Sequence, residues 1–247
     1  MHAILPWAIG FVALLYASVG HAGATGYIAV MTLLGMPAAA VRPTALLLNV
    51  IVATIASVQF IRAGHFRSRL FWPLAVASVP CAFVGGMLTL PTAAFEAVLG
   101  GVLLASAARM LFDARSPAAD DGTTVPLTRS RPPVVWAAIG GAIGLLSGLT
   151  GVGGGVFLTP ALLAIGGAPV KTIAAVTAPF ILVNSLAGLG SGLLVGRPFP
   201  AAGLTVIAAA VLGGAIGSYF GAFRLPVRTL RLLMAAVLAF ASVKLLT

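Results

Sequence analysis

Two glycine-dense stretches hold the residues best suited to chemistry in this chain. The first is His21-Ala22-Gly23-Ala24-Thr25-Gly26, preceded by Ser18; the second is Gly151-Val152-Gly153-Gly154-Gly155, preceded by Ser147. Glycine inside a helix costs up to about 1 kcal/mol relative to alanine, so each stretch predicts a break in the backbone. A break exposes N–H groups as an anion-binding concavity. The helix that resumes after it points its positive dipole end at the same place. Asn49 and Asn184 would add amide donors from within apolar segments. Thr177 and Thr44 would donate a hydroxyl or cap the helices that follow them. His21, at the tip of the first break, would act as an anion anchor, a proton-coupling group or a structural histidine bonded to backbone.

Each of these residues has a plainer use. Small residues let helices pack closely, and asparagines bond helix to helix. Ser147 with His21 or His65 would be the parts of a nucleophile pair, but Ser147 recurs as Ser18 in the glycine pattern, which accounts for it without catalysis. Cys81 is the single cysteine, so neither an intramolecular disulfide nor a CxxC pair exists. Three histidines and four acids, dispersed along the chain, form no metal-ligand spacing, and no cofactor is called for. The phosphate-binding pattern GxxxxGK[ST] is missing, so the chain is not itself an ATP-driven pump. Glu96 falls in the first turn after Pro91, where a carboxylate favours the helix dipole or would serve ion coupling. Gln59 lies near the end of an apolar stretch, within reach of the membrane interface.

The elements that must position these groups follow from composition. Of 247 residues, 60% are hydrophobic and 7% charged, against roughly 25% charged in an ordinary soluble domain. That excludes a soluble fold, for want of a polar shell, and a disordered chain, which would be poor in apolar residues. The formal charge of +10 does not mark nucleic-acid binding, because the cations are scattered singly between apolar runs. The reading is an all-α integral membrane protein whose largest partner is the lipid bilayer. Candidate spans are 43–61, 70–90, 93–112, 173–195, 201–223 and 227–246, with two longer glycine-interrupted regions at 3–38 and 134–168. No Lys or Arg precedes the first apolar run, which predicts that 3–20 is a retained membrane segment.

Residues 113–133, with three aspartates, three arginines and four prolines, read as a cytoplasmic linker between a first membrane repeat (1–112) and a second (134–247). The halves correspond in order: Ser18 to Ser147, Leu33-Leu34-Gly35 to Ala164-Ile165-Gly166, Thr44-Ala45 to Thr177-Ala178, Asn49 to Asn184 and Pro91 to Pro226. If each glycine-broken segment is a helical hairpin, the halves are inverted, each a hairpin plus three transmembrane helices. Eleven cations then share one side, leaving Arg42, Arg197 and Lys244 opposite. If each broken segment crosses once, the cations split nine against five. The positive-inside rule favours inversion. Arg42 and Arg197, on the sparsely charged side, would attract anions at an entrance or anchor lipid headgroups.

Gly151-x-Gly153-Gly154-Gly155 followed by Pro160, then Thr177-Ala178 and Asn184-Ser185-x-Ala187-Gly188, resembles the second repeat of the sulfite exporter TauE/SafE family. In the first half, Asn49 in its second span and Gly64-His65 before the next also fit, so the resemblance runs from about residue 10 to 245. It implies a multi-pass secondary carrier of the bacterial inner membrane for sulfite, sulfoacetate, thiosulfate or related small anions. The first repeat departs from the family in having His21-Ala22-Gly23-Ala24-Thr25-Gly26 where the second has a triple glycine. The expected substrate-binding set is His21, Gly23, Thr25, Gly26, Asn49, Gly151, Gly153, Gly154, Gly155, Thr177 and Asn184. A passive anion channel and an intramembrane enzyme are the alternatives, and a homo-oligomer is compatible with either transport reading.

Overall fold

The structure, a computed structural model, describes residues 4–88, 104, 108, 132–165, 168–198 and 202–246. Among these every regular element is a helix: α1 (Ile4–Ser18), α2 (Ala24–Leu33), α3 (Ala38–Arg62), α4 (Ser68–Met87), α5 (Pro133–Thr150), α6 (Gly155–Ile165), α7 (Val170–Leu194), α8 (Leu204–Tyr219, continued by a π-helical turn Phe220–Arg224) and α9 (Val227–Leu246). The predicted span 93–112, apart from Leu104 and Ala108, and the linker 113–133, apart from its last two residues, lie outside the described residues, as does Glu96. Five helices, Ala39–Arg62, Ser68–Met87, Pro133–Thr150, Val170–Leu194 and Leu204–Arg224, are long and apolar enough to cross a membrane. Together with the exposed Trp7, Phe11, Trp72, Val76, Leu204 and Leu212, they describe a multi-pass membrane protein, whose outer surface meets acyl chains instead of water.

Both glycine stretches break the helix where expected. The region 3–38 divides into α1 and α2 and the region 134–168 into α5 and α6. With 10 and 11 residues, α2 and α6 are each about 15–17 Å long, half the hydrocarbon thickness. α2 folds back on α1, with the Thr25 hydroxyl donating to the Tyr16 oxygen at 2.9 Å and Gly26 set against Val12. The long helices start earlier than the hydropathy runs suggest. α3 and α7 begin after Pro37 and Pro169, whose extended ψ leads into the first turn. Thr44 and Thr177 are therefore well inside their helices, and the capping role is corrected. Gln59 does not reach for the interface: its Nε2 donates to the Ala215 carbonyl of α8 at 3.2 Å.

Glycine sets which helices touch. Gly140, Gly144 and Gly148 of α5 lie on the backbone of Leu74, Ser78 and Ala82 of α4, and Gly213, Gly217 and Gly221 lie on Gly10, Leu14 and Ser18 of α1. These are the two most extensive helix contacts among the described residues. Any Cβ at these glycines would overlap the facing carbonyl oxygen, so only glycine permits the approach. In both pairs the residue numbers rise together, so the helices are parallel. α3 and α7 run antiparallel, Leu46 facing Gly188 and Asn49 facing Ser185. These two helices form the centre, and α7 is the most buried of the five spans, at 72% of its apolar window.

These directions gather Arg62, Arg67, Arg69 and Lys171 at one end of the bundle and Arg42 and Arg197 at the other. Near Lys171, His65 takes up the Ala222 carbonyl; burial, then the Lys171 charge, hold it below the usual histidine range.

The glycine contacts make a contrasting pair of substitutions. Gly144→Leu drives side-chain atoms into the Ser78 backbone and should lower stability by about 1–3 kcal/mol or prevent folding. Gly190→Leu, with nothing within 4 Å of its Cβ, should leave the detergent melting temperature of the purified protein nearly unchanged. Equal effects of the two would contradict this packing.

Candidate functional site

The second break is built from left-handed backbone. Gly151, Gly153 and Gly154 have φ of 73°, 82° and 83°, a region that costs other L-residues roughly 1–2 kcal/mol. The Gly151 amide donates back to the Ser147 carbonyl at 2.8 Å and ends α5. α6 then starts at Gly155, and the first bonds of its ladder are those of Phe157 and Leu158 to the Gly154 carbonyl. The leading amides of a helix have no intrahelical partner, which leaves those of Gly155 and Val156 at a buried helix start.

Around this break the structure brings together residues from three other elements. From α3, Asn49 is fully buried, and its Nδ2 lies 3.3 Å from the Val152 carbonyl and 3.4 Å from the Ser185 hydroxyl. Both distances are at the long end for hydrogen bonds, and its Oδ1 has no partner. A Cβ on Gly153 would sit 2.7 Å from that Nδ2 and 2.8 Å from Ser185 Oγ. From α7 come Ser185, Ile181 and Thr177, the last two against Gly155. Ser147 stands beside Gly154 with its buried hydroxyl unpartnered. From the first break, His21 crosses to the second half. Its Nε2 is 3.2 Å from the Thr159 hydroxyl of α6, which is 3.5 Å from that of Thr177, while its Nδ1 is 3.3 Å from the Val19 carbonyl. The assembly is a buried cluster of neutral donors and acceptors, and the four acids of the chain all lie outside the described residues.

The expected set is not gathered whole. Gly23, Thr25 and Gly26 serve the first hairpin. Gly23 (φ 112°) lies under the Tyr27 ring, whose hydroxyl donates 2.6 Å to the Ala22 carbonyl, and Thr25 is bonded to Tyr16. Two tyrosines thus fill the first break and bond its threonine and the Ala22 carbonyl. Asn184 is engaged at both ends, its Nδ2 donating to the Phe180 carbonyl at 2.8 Å and its Oδ1 accepting from Ser78 of α4. It bonds α7 to α4, one face away from Asn49. His21, Asn49, Thr177 and the glycines of the second break do meet.

Sequence reasoning left out Ser185 and Thr159. Ser185 directly follows Asn184 in the motif Asn184-Ser185, and the antiparallel pairing of α3 with α7 was the missing information. Thr159 precedes Pro160 on α6, one turn after the break, and that spacing was available. The Ser–His pair of an enzyme is not formed, since Ser147 Oγ bonds to nothing among the described residues.

Residues 6–245 match the family described as sulfite exporter TauE/SafE. A relative from Sinorhizobium fredii, named a probable membrane transporter protein (y4hK), is 38% identical over 236 residues, covering 95% of this chain and 94% of its own. No solved structure matches the chain.

Because Gly153 combines a left-handed φ with the closest approach to Asn49, even a methyl group should be costly there. Gly153→Ala is expected to lower stability by about 1–2 kcal/mol, read as a reduced melting temperature in detergent. Gly141→Ala, whose Cβ would meet Cys81 Sγ at 3.4 Å and Ala77 at 3.8 Å, ordinary contacts, should not.

Proposed function

The chain belongs to the sulfite exporter TauE/SafE family of membrane transporters, and from that premise we propose that it is a secondary carrier of small sulfur oxyanions or organosulfur anions in the bacterial inner membrane. The observation that supports this most is the buried second break, where α6 begins under a run of left-handed glycines and faces Asn49 and Ser185. A helix start with free amides attracts negative charge. Neutral hydroxyl and amide donors can surround an oxyanion without a fixed counter-charge. In this reading the oxyanion takes its bonds from the Gly153–Gly155 backbone, Asn49 Nδ2 and the Ser185 and Thr177 hydroxyls. His21 and Thr159 close the side nearest the first break, and Asn184 braces the site from behind.

We read the two halves as inverted repeats. Their counterpart helices α3 and α7 run antiparallel, and α1 packs on α8 as α5 packs on α4, each first helix of one half on the fourth helix of the other. The gathering of cations at one bundle end agrees with a cytoplasmic face there. Transport by alternating access would then be a rocking of one half against the other about the glycine break. The loose bonds of Asn49 would be exchanged for bonds to substrate at each cycle.

Flux of sulfite, thiosulfate and sulfoacetate in proteoliposomes tests the reading. The expected result is saturable transport with counterflow, which a channel would not give. Asn49→Leu should lower kcat/KM at least about tenfold, the scale of one lost charge-assisted hydrogen bond, whereas Asn184→Leu should act mainly on stability. Absence of flux or binding for all three anions would refute the proposal. Tags at the N-terminus and in the 113–133 linker should report opposite sides of the membrane, and the same side would overturn the inverted arrangement.

A further inference from the structure

Arg42 and Arg197 lie far apart in sequence but line one pocket, between the start of α3 and the end of α7. The pocket is narrow, about 10 Å³, with Gly188, Gly192 and Pro198 among its walls, and it sets two like charges at one opening. Among the described residues no carboxylate answers them. Arg42 is only partly committed. One Nη donates to the Gly148 carbonyl at the end of α5, and its buried Nε has no partner. Two half-buried like charges that meet no carboxylate among the described residues favour the approach of an anion.

The pair is also placed on the way to the candidate site. Arg42 and Asn49 are seven residues apart on α3, two helical turns or about 10 Å along one face. That face meets the second break throughout: the Arg42 side chain lies against Gly151, where a Cβ would come within 2.5 Å of its Cγ and 2.6 Å of its Nε, and Asn49 lies against Val152 and Gly153. The break therefore runs from the arginine pair directly to the asparagine.

We propose that Arg42 and Arg197 form a second anion site at the mouth of the pathway, where paired guanidinium groups take an oxyanion between bulk water and the glycine break. The inference rests on the carrier reading for its purpose but on its own residues for binding. A fork of guanidinium donors suits the planar edges of a sulfite, sulfonate or carboxylate group. A phosphate oxygen of a lipid headgroup offers the same chemistry, and the experiment separates the two.

Equilibrium binding of radiolabelled sulfite is measured on the whole protein in a maltoside detergent free of phospholipid, alongside initial transport rates in proteoliposomes. Asn49→Leu should retain weak, salt-sensitive sulfite binding, and adding Arg197→Gln should remove it. Arg197→Gln alone should raise KM about tenfold with little change in the maximal rate and should flatten the dependence of KM on ionic strength; Arg197→Lys should recover most of the loss. No residual binding in Asn49→Leu, or residual binding that Arg197→Gln leaves intact, would overturn the inference. So would an Arg197→Gln defect confined to the maximal rate, or wild-type sulfite binding abolished by added phosphatidylglycerol, which would make the pair a lipid anchor. If wild-type protein binds sulfite through Arg197 yet moves no anion across the membrane, the mouth site stands and the carrier reading fails.

Discussion

A lipid bilayer supplies no hydrogen-bond partners, so a helix interrupted within it must be enclosed by protein. The break at 151–154 imposes that demand on the rest of this fold. The helix that does most of the enclosing, α7, is also the most buried span, and it is polar along the side it turns to the break, with Thr177 and Ser185 there. α3 closes the opposite side with Arg42 and Asn49. Neither helix could come so near if the outer pairs, α1 on α8 and α4 on α5, were not drawn together by glycines lying directly on backbone carbonyls. Close packing at the periphery and an open break at the centre are thus two uses of one residue, separated by φ. The peripheral glycines of α5 and α8 are helical, and those of the break are left-handed.

The two breaks answer the same demand differently. In the first, Tyr16 and Tyr27 bring ring volume and hydroxyls to the gap, binding Thr25 and the Ala22 carbonyl. The gap is filled, and its hydroxyls and the Ala22 carbonyl are paired. In the second, Val152 and the glycines bring no side-chain donors, and the neighbouring Asn49 Oδ1 and Ser147 Oγ remain without partners among the described residues. A buried polar group left unpaired costs about 1–3 kcal/mol, a cost that the proposed anion would relieve at this break. The duplicated sequence therefore yields one break braced by tyrosines and one bordered by unpaired polar groups. His21 joins them, because it belongs to the braced break yet bonds to Thr159 beside the other.

Much of this was legible in the residues. Glycine density placed both breaks, and apolar runs placed the long helices to within a few residues, because lipid burial depends on composition and length alone. The residues that meet at the site were harder to read. Asn49 and Asn184 occupy equivalent positions and looked interchangeable, yet the antiparallel pairing of α3 with α7 turns one toward the break and the other toward Ser78. Nothing local to either asparagine encodes that. Thr44 and Thr177 looked like caps because the apolar runs begin near them, but a helix in lipid extends past its apolar run until a proline stops it. Arg42 read as an entrance or headgroup cation for the same reason: five residues of α3, Arg42 the last of them, precede the predicted span, and the helix carries it inward against Gly151.

The near absence of fixed negative charge gives these placements a common sense. A carboxylate inside the bundle would pair with Arg42 or Arg197 and neutralise the mouth. A cation at Asn49 or Ser185 would bind an oxyanion strongly in so low a dielectric and would hold it there. Neutral amides and hydroxyls bind less tightly and release more easily, which would suit the proposed carrier, whose site must empty on every cycle, while full charges at the water-facing end would raise the local anion concentration where screening weakens their hold. On the proposed reading, charge for attraction and neutral donors for occupancy are distributed along a single face of α3, two turns apart, with the glycine break as the path between them.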